Sequence, residues 1–333
     1  MVQIILCSIL VAHTTSPVIK LTTISSIQLT AIAQDQLQDG LIYYTDIQGR
    51  LVMHELITRK SSVLATITPG GYGRVYSIVQ CKRLLYCLVR KGNYPDYDYQ
   101  VLTYSTDNKQ LNTLMTSKSI LSCITVCNNR VYLVTSGSAI HDLSNNSLIC
   151  KIGNKSIISM CASSEALLVA TRDDLGLQSA MTVSTRDGSI TPYIKSVEPN
   201  CLTISKVNDR IYTLSSKYLF ADDLRDKNEG IIVIIGKEGG SAIRIMTSFQ
   251  PWYIAEYTSK YIVVAGIDFT LSPSNKYASD GYLVIYDNTF RTICRARIDD
   301  CAPLGVVKTK YALYCIYSNG QVGSVRHYAH IHK

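Results

Sequence analysis

The sequence predicts an all-β protein, and two observations support this fold class: the composition and the spacing of the apolar residues. Of the 333 residues, 47% are hydrophobic and 17% are charged, which excludes a disordered chain and supplies material for a core. Tyrosine is abundant, with 23 residues beside many Ile, Val and Thr, and all of these residue types favour strands. The apolar residues form short runs bounded by turns, without the period of an amphipathic helix.

Aligning these runs reveals a weak internal repeat of about 46 residues. Each unit contains an apolar run, a turn, a second run, a turn with Gly or Asp, and two more strands. The units begin near Ile27, Val75, Ile120, Ile157, Cys201, Tyr253 and Leu304. Four strands per unit at this period are typical of a β-propeller blade. The sequence therefore predicts a single seven-bladed β-propeller domain of four-stranded antiparallel blades over residues 1–333.

The last unit and the N-terminus suggest how this ring closes. The last unit contains only three strands, while an apolar segment precedes the first unit. A strand from within residues 1–23 would complete the last blade and cover its exposed edge. Met1–Val11 and Pro17–Thr23 are both candidates for this strand. The first twelve residues are apolar like a signal peptide, but they lack a basic start and a convincing cleavage site, which favours a strand.

Three strand ends carry a resemblance to a known family. Val52–Leu56 (VMHEL), Ala139–Leu143 (AIHDL) and Val284–Asp287 (VIYD) occupy the position of the apolar-Trp-Asp strand end in WD-repeat propellers. Over almost its whole length the chain resembles a diverged WD-repeat-like β-propeller, although it has no Trp-Asp and no Gly-His dipeptide. One unit, Tyr261–Asp287, also looks like blades of the large propeller scaffolds of damaged-DNA recognition and pre-mRNA processing. The resemblance implies a non-catalytic scaffold or adaptor subunit of a multiprotein complex.

The predicted partner site lies on the face that carries the loops between second and third strands. Blade topology places these loops on one face together with the connections between blades, and four of them are long: Arg90–Tyr99, Arg172–Ser179, Lys217–Gly230 and Asp268–Gly281. Tyrosine and arginine are enriched at binding hot spots. The predicted partner-binding residues are Arg90, Lys91, Tyr94, Tyr97, Tyr99, Arg172, Phe220, Arg225, Phe269 and Tyr277. The competing interpretations are tolerated insertions and a Tyr-rich loop that packs on its own blade.

The sequence contains no pattern that indicates a catalytic residue, a metal ligand or a cofactor. The P-loop, Gly-x-Ser-x-Gly, His-Glu-x-x-His and dinucleotide motifs are missing, as are Cys-x-x-Cys and the basic motif of lipid-binding propellers. His54 and Glu55, like His141 and Asp142, are neighbours on a strand and therefore point to opposite faces. No apolar stretch is long enough for a membrane span. The alternative enzyme hypothesis is a hydrolase with its site at the mouth of the central channel.

The charge distribution indicates which partners to expect, and the cysteines indicate the cellular compartment. The formal net charge is +8, and Arg291–Lys333 contains seven Lys or Arg against two Asp. Other protein subunits are the expected partners, and an RNA-associated subunit that uses this basic segment is the nucleic-acid alternative. The eleven cysteines are irregularly spaced in apolar runs, which is typical of buried, reduced thiols. We therefore expect a reducing compartment, either cytoplasm or nucleus.

Overall fold

The computed structural model describes residues 17–68, 73–93, 95–176, 178–194, 201–207, 210–216, 229–235, 243–271, 277–310 and 312–326. At residues 194, 201–202, 216, 269–271 and 277–279 it describes the backbone alone. The described residues form seven antiparallel sheets of four strands each, and they contain no helix.

The strands follow one another blade by blade. The first strand, β1 (Val18–Thr23), belongs to the last blade. Blade 1 contains β2 (Leu29–Gln34), β3 (Leu41–Asp46), β4 (Arg50–Glu55) and β5 (Ser61–Thr66). Blade 2 contains β6 (Gly73–Cys81), β7 (Leu84–Lys91), β8 (Asp98–Ser105) and β9 (Leu111–Ser117). Blade 3 contains β10 (Leu121–Cys127), β11 (Arg130–Thr135), β12 (Ala139–Asp142) and β13 (Ser147–Lys151).

The remaining blades repeat the same order. Blade 4 contains β14 (Ser156–Ser163), β15 (Ala166–Arg172), β16 (Gln178–Ser184) and β17 (Ile190–Ile194). Blade 5 contains β18 (Cys201–Val207), β19 (Arg210–Ser216), β20 (Gly230–Ile235) and β21 (Ile243–Thr247). Blade 6 contains β22 (Gln250–Thr258), β23 (Tyr261–Leu271), β24 (Tyr277–Asp287) and β25 (Thr292–Ile298). Blade 7 contains β26 (Pro303–Lys308), β27 (Leu313–Tyr317), β28 (Gln321–Arg326) and β1.

The ring closes through its N-terminal strand, as the sequence predicts. Strand β1 pairs antiparallel with β28, from Val18 opposite Arg326 to Thr23 opposite Gln321. The closing strand therefore comes from the segment Pro17–Thr23, while the other candidate, Met1–Val11, lies outside the described residues. A side chain also joins the first and last blades, because the Gln34 amide donates to the Lys308 carbonyl at 2.8 Å and accepts from the Lys308 amide at 3.3 Å.

The core is divided among the seven interfaces between neighbouring blades. Each hydrophobic cluster draws its buried residues from two adjacent blades, and the cluster of Leu29, Ile42, Val307 and Ile316 joins blade 7 to blade 1. The second strands lie in the middle of the sheets, so neighbouring blades cover both of their faces; β3 and β27 are buried throughout. This position explains why the second strands have continuous apolar sequences instead of alternating ones.

A β-bulge recurs near the start of every innermost strand. The register of the first two strands shifts by one or more residues within β2, β6, β10, β14, β18, β22 and β26. A bulge inserts an unpaired residue and redirects its side chain. Because innermost strands line the channel of a propeller, the bulges alter which side chains reach one of its mouths.

We call the face with the second-to-third-strand loops and the blade connections the upper face, and the opposite face the lower face. Three upper loops are turns of three residues: 47–49, 136–138 and 318–320. Two predicted long loops are shorter than expected, at 92–97 and 173–177, because strand pairing continues beyond the apolar residues. In blade 6, the predicted loop Asp268–Gly281 is mostly a hairpin that pairs as far as Leu271 opposite Tyr277.

Candidate partner-binding site

The candidate site is a cavity of about 490 Å³ on the upper face, at the channel side of blades 1, 2 and 3. Polar, aromatic and apolar side chains contribute to its wall. The lining residues are Thr30, Arg74, Tyr76, Arg90, Tyr99, Ile120, Leu121 and Ser122. We call this cavity the upper cavity.

The bulges bring three of these side chains to the cavity. Thr30, Tyr76 and Ser122 each lie within the shifted register of their innermost strand, in blades 1, 2 and 3 respectively. The Thr30 hydroxyl is 2.8 Å from the hydroxyl of Thr45, and the Tyr76 hydroxyl donates to the Leu121 carbonyl across the blade 2–3 interface. Burial raises the pKa of Tyr76, so this phenol stays protonated at neutral pH.

The Ser122 hydroxyl is a buried polar group in this wall that lacks an oxygen or nitrogen partner. Its oxygen is shielded from solvent, and the group beside it is the weakly bonding thiol of Cys123. Burial raises the pKa of the adjacent Cys123 thiol, and the Ser122 hydroxyl partly offsets that increase. Buried hydroxyls normally have a hydrogen-bond partner, so an unpartnered one in a cavity wall indicates a place for a ligand atom.

Two arginines and a tyrosine form a row across the top of blade 2. Arg74 on β6 lies directly opposite Arg90 on β7, and Arg90 lies directly opposite Tyr99 on β8. Residues directly opposite each other on paired strands project to the same side of the sheet. The Arg90 guanidinium lies over the ring of Tyr97, 4.4 Å from its centroid, and Tyr97 contacts Tyr99 edge to face at 6.4 Å.

Charge around the upper cavity is unbalanced. No carboxylate lies among the described residues that line it. The Asp98 carboxylate, at the start of β8, forms an ion pair with Lys118 at 2.8 Å. Among the described residues, Arg74 and Arg90 form no ion pair within 4.0 Å. The cavity therefore presents two cations beside aromatic and apolar surface.

The structure brings together some of the predicted site residues. Arg90 and Lys91 end β7, Tyr97 lies in the following loop, and Tyr99 lies in β8. Tyr99 is half-buried and packs against the blade 2–3 core, and the predicted loop Arg90–Tyr99 is shorter because its two ends belong to paired strands. The reason is that β7 and β8 remain paired at this level despite their polar sequence.

The other predicted residues lie on different blades or outside the description. Arg172 ends β15 in blade 4. Phe269 and Tyr277 lie in the paired strands of the blade 6 hairpin, where the backbone alone is described. Tyr94, Phe220 and Arg225 lie outside the described residues.

Sequence reasoning missed the part of the site that the innermost strands supply. Arg74, Tyr76, Ile120 and Ser122 all come from the beginnings of β6 and β10 or the residue before. A bulge changes the alternation of inward and outward residues, so period-two reasoning assigns these positions to the wrong side. One signal was available in the sequence: Ile120 is an apolar residue directly after a polar turn. In the structure its side chain is 56% exposed.

A second cluster of charged residues lies at the base of the blade 6 hairpin. Asp268 and Asp280 are directly opposite each other, and Asp280 pairs with Arg297. Burial and the nearby Asp280 charge raise the pKa of Asp268, one oxygen of which is buried without a hydrogen-bond partner. The Tyr282 hydroxyl donates to the other oxygen at 3.5 Å.

The lower mouth of the channel has a cavity of about 540 Å³ beside blades 1, 2 and 3. Its buried polar groups are satisfied internally. The Asp35 carboxylate accepts from the Tyr43 hydroxyl at 2.6 Å, from two backbone amides and from Gln80. This network links blades 1 and 2, and it engages both oxygens of the Asp35 carboxylate in hydrogen bonds within the protein. Within the described part of the chain, no three His, Cys, Asp or Glu side chains are grouped as a metal site would require.

A histidine is packed in the strand end Val52–Leu56 of blade 1. His54 is buried, and its Nδ1 lies 2.7 Å from the Ser61 hydroxyl. Burial lowers the pKa of His54, which favours the neutral ring. The Asp142 carboxylate pairs with Arg130 and not with its neighbour His141, as expected for adjacent strand residues.

Comparisons with known proteins agree with this fold. No protein-family model matches the sequence, and no curated protein matches it significantly. Among solved structures, a chain of the Mitotic Checkpoint Complex has a TM-score of 0.63 at 13% identity, covering 94% of this chain and 92% of that chain. The N-terminal domain of Nup159 has a TM-score of 0.58 at 14% identity, with 94% and 96% covered. An inactive virginiamycin B lyase from Staphylococcus aureus has a TM-score of 0.63 at 12% identity, with 93% and 99% covered.

These similarities establish the class of protein. The chain is a seven-bladed β-propeller, with four antiparallel strands in each blade. At such low identities the likeness concerns the fold alone. The same fold occurs in a chain of a checkpoint complex and in a lyase, so the fold by itself does not define a function.

Two further observations concern the surroundings of the protein. No helix in the described part of the chain is long and apolar enough to cross a membrane. The nine cysteines whose side chains are described are all free thiols. Burial raises the pKa of Cys87 and of Cys315 to about 12, so these thiols are held in the unreactive protonated form.

Proposed function

We propose that this propeller is a non-catalytic subunit of a multiprotein assembly and binds a partner protein through the upper face of blades 1, 2 and 3. The observation that carries the proposal is the upper cavity, where arginine, tyrosine and an exposed isoleucine meet. This combination is typical of interface hot spots, which pair a rigid aromatic or apolar surface with arginine. The predicted residues Arg90, Lys91, Tyr97 and Tyr99 belong to this face, and Arg172 extends it toward blade 4.

The chemistry of the channel mouth favours a binding site over a hydrolase site. A catalytic acid or base works best with a pKa near the operating pH. In the upper cavity, burial raises the pKa of Tyr76, which moves this phenol further from neutrality. The raised pKa of the Asp268 carboxyl is the observation that supports the alternative hydrolase hypothesis, because an acid with a raised pKa can donate a proton.

The RNA-associated alternative has less support, because the C-terminal cations contact their own blades. The Arg295 guanidinium stacks on Tyr282 at 4.1 Å and donates to the Ser248 hydroxyl at 3.1 Å. Arg297 is paired with Asp280, and Arg326 donates to the Tyr314 hydroxyl at 3.1 Å. Cations used in this way do not form the continuous basic surface that a nucleic-acid backbone requires. Free thiols are typical of a reducing compartment, so we expect protein partners in the cytoplasm or nucleus.

The proposal is tested by quantitative affinity purification with mass spectrometry, using two single variants that differ in the face they alter. Ile120→Ser removes exposed apolar surface at the upper cavity, and Leu37→Ser does the same on the lower face, where Leu37 is 67% exposed. We expect Ile120→Ser to lose at least one partner that the wild type and Leu37→Ser both retain. Identical partner sets for all three proteins would contradict the assignment of the upper face.

A further inference from the structure

The opposed pair Arg74 and Arg90 is the feature of the upper cavity that the fold itself does not explain. Like charges directly opposite each other on neighbouring strands destabilise a sheet. No described carboxylate within 4.0 Å neutralises either guanidinium. Two other arginines near strand ends show how such a charge is compensated within the fold: Arg130 pairs with Asp142, and Arg297 pairs with Asp280. An uncompensated pair at the mouth of a cavity indicates that the compensating charge comes from a ligand.

We propose that Arg74 and Arg90 form a clamp for the carboxylate groups of an acidic segment in a partner protein. The inference rests on the proposed function and specifies what the upper cavity binds. Two guanidinium groups on adjacent strands can each donate to one carboxylate, and charge-assisted hydrogen bonds of this kind are the strongest in proteins. The Tyr97 ring, 4.4 Å below the Arg90 guanidinium, holds that side chain in position.

The remaining walls specify a peptide rather than a free anion. Ile120 and Leu121 from blade 3 form an apolar side, opposite the arginine row of blade 2. The Ser122 hydroxyl, which lacks an oxygen or nitrogen partner, also lines the cavity, where it can bond a polar group of the bound segment. A segment with an apolar side chain next to an acidic one matches both sides, whereas an isolated anion leaves the apolar wall uncovered.

The experiment is a fluorescence-anisotropy titration of the full-length protein with labelled octapeptides at low salt, since 0.1 M salt largely screens exposed charges that are more than about 10 Å apart. The probe contains Leu-Glu-Glu-Leu; one control peptide replaces both glutamates by glutamine and another replaces them by phosphoserine. Arg74→Gln and Arg90→Gln remove the proposed clamp. Arg83→Gln is the matched control, because it removes the same charge from an exposed lower-face arginine that pairs with Asp107.

We expect the wild type and Arg83→Gln to bind the glutamate peptide equally, and Arg74→Gln and Arg90→Gln each to weaken binding about tenfold or more. Arg90→Lys keeps the charge but not the fork of donors, so its affinity for the glutamate peptide should lie between those of the wild type and Arg90→Gln. The melting temperature of Arg74→Gln should equal or exceed that of the wild type, because the substitution relieves repulsion. The glutamine peptide should not bind.

Four results would overturn the clamp. They are equal binding of the glutamine peptide, retention of glutamate-peptide binding by both clamp variants, binding of the phosphoserine peptide alone, and a large fall in melting temperature for Arg74→Gln. Each can occur while Ile120→Ser still loses its partner. In that case the upper face would bind protein by another chemistry and the proposed function would stand.

Discussion

Two glycines in upper-face turns illustrate two reasons why a turn requires glycine. One is a backbone conformation that disfavours a side chain, and the other is a lack of space for a Cβ atom. Gly49 and Gly137 both have a positive φ, at 75° and 72°. A Cβ at Gly49 would lie 2.5 Å from the Thr68 carbonyl oxygen, whereas a Cβ at Gly137 would meet nothing within 4 Å. The turn in blade 1 therefore needs glycine for two reasons, and the turn in blade 3 needs it for one.

We expect Gly137→Ala to cost about 1–2 kcal/mol, the price of a left-handed conformation with a side chain. Gly49→Ala adds overpacking, which costs about 1–3 kcal/mol more. Thermal denaturation followed by circular dichroism measures both variants. Equal melting temperatures for the two would contradict the clash with Thr68.

The pair Asp268 and Asp280 makes a pH-dependent prediction. Burial raises the pKa of Asp268 above its ordinary value of 3.8, so the folded protein holds this proton more tightly than the unfolded chain does. Stability is therefore lost as pH rises from about 4 through the raised pKa. Asp268→Asn should raise the melting temperature at pH 7 and change it little at pH 3.

Asp280→Asn is the matched control, because Asp280 is buried, pairs with Arg297 and accepts from the Asp300 amide at 3.2 Å. It should lower the melting temperature at pH 7, the opposite of its neighbour on the facing strand. A stabilising effect of the same size from both substitutions would show that the Arg297 pair contributes nothing.

At the scale of elements, the closing strand carries the clearest prediction. Deleting residues 1–23 removes β1, which leaves β28 as an exposed edge and uncovers part of the blade 6–7 core. We expect a much lower melting temperature and aggregation. Deleting residues 1–16 keeps β1 and serves as the control. If the longer deletion matched this control in melting temperature and solubility, closure by β1 would be refuted.

The sequence predicts that most of the strands exist, but it predicts the residues at which they begin and end less well. The repeat predicts all seven blades because buried second strands, such as Leu41–Asp46 and Leu313–Tyr317, have unmistakable apolar runs. Polar ends are not visible in this way. Pairing of Lys91 with Asp98 and of Leu271 with Tyr277 depends on backbone hydrogen bonds that continue whatever the side chains are.

The candidate site was predictable in part for the same reason. Arg90, Tyr97 and Tyr99 come from one contiguous stretch that is rich in hot-spot residue types, so composition points to them. Arg74 is 16 positions earlier and meets Arg90 through strand register alone. Register within a blade, and the bulges that shift it, follow from tertiary packing that a single sequence does not display.

At the scale of the whole molecule, the thiols report on the compartment. We expect all eleven cysteines to be reduced, since the nine described ones are free and most are held protonated by burial. Alkylation of denatured, unreduced protein followed by intact-mass measurement should give eleven adducts. A shortfall of two or more that prior reduction restores would argue for a disulfide and an oxidising compartment.

The central claim is that the upper face of blades 1, 2 and 3 is where a partner protein binds. Site-specific photo-cross-linking in cells tests it most directly, with a benzophenone amino acid placed at Ile120 or, as the lower-face control, at Leu37. We expect a defined cross-linked protein from position 120, which Arg90→Gln diminishes and which position 37 does not give. The same protein cross-linked equally from both positions, or from position 37 alone, would contradict it.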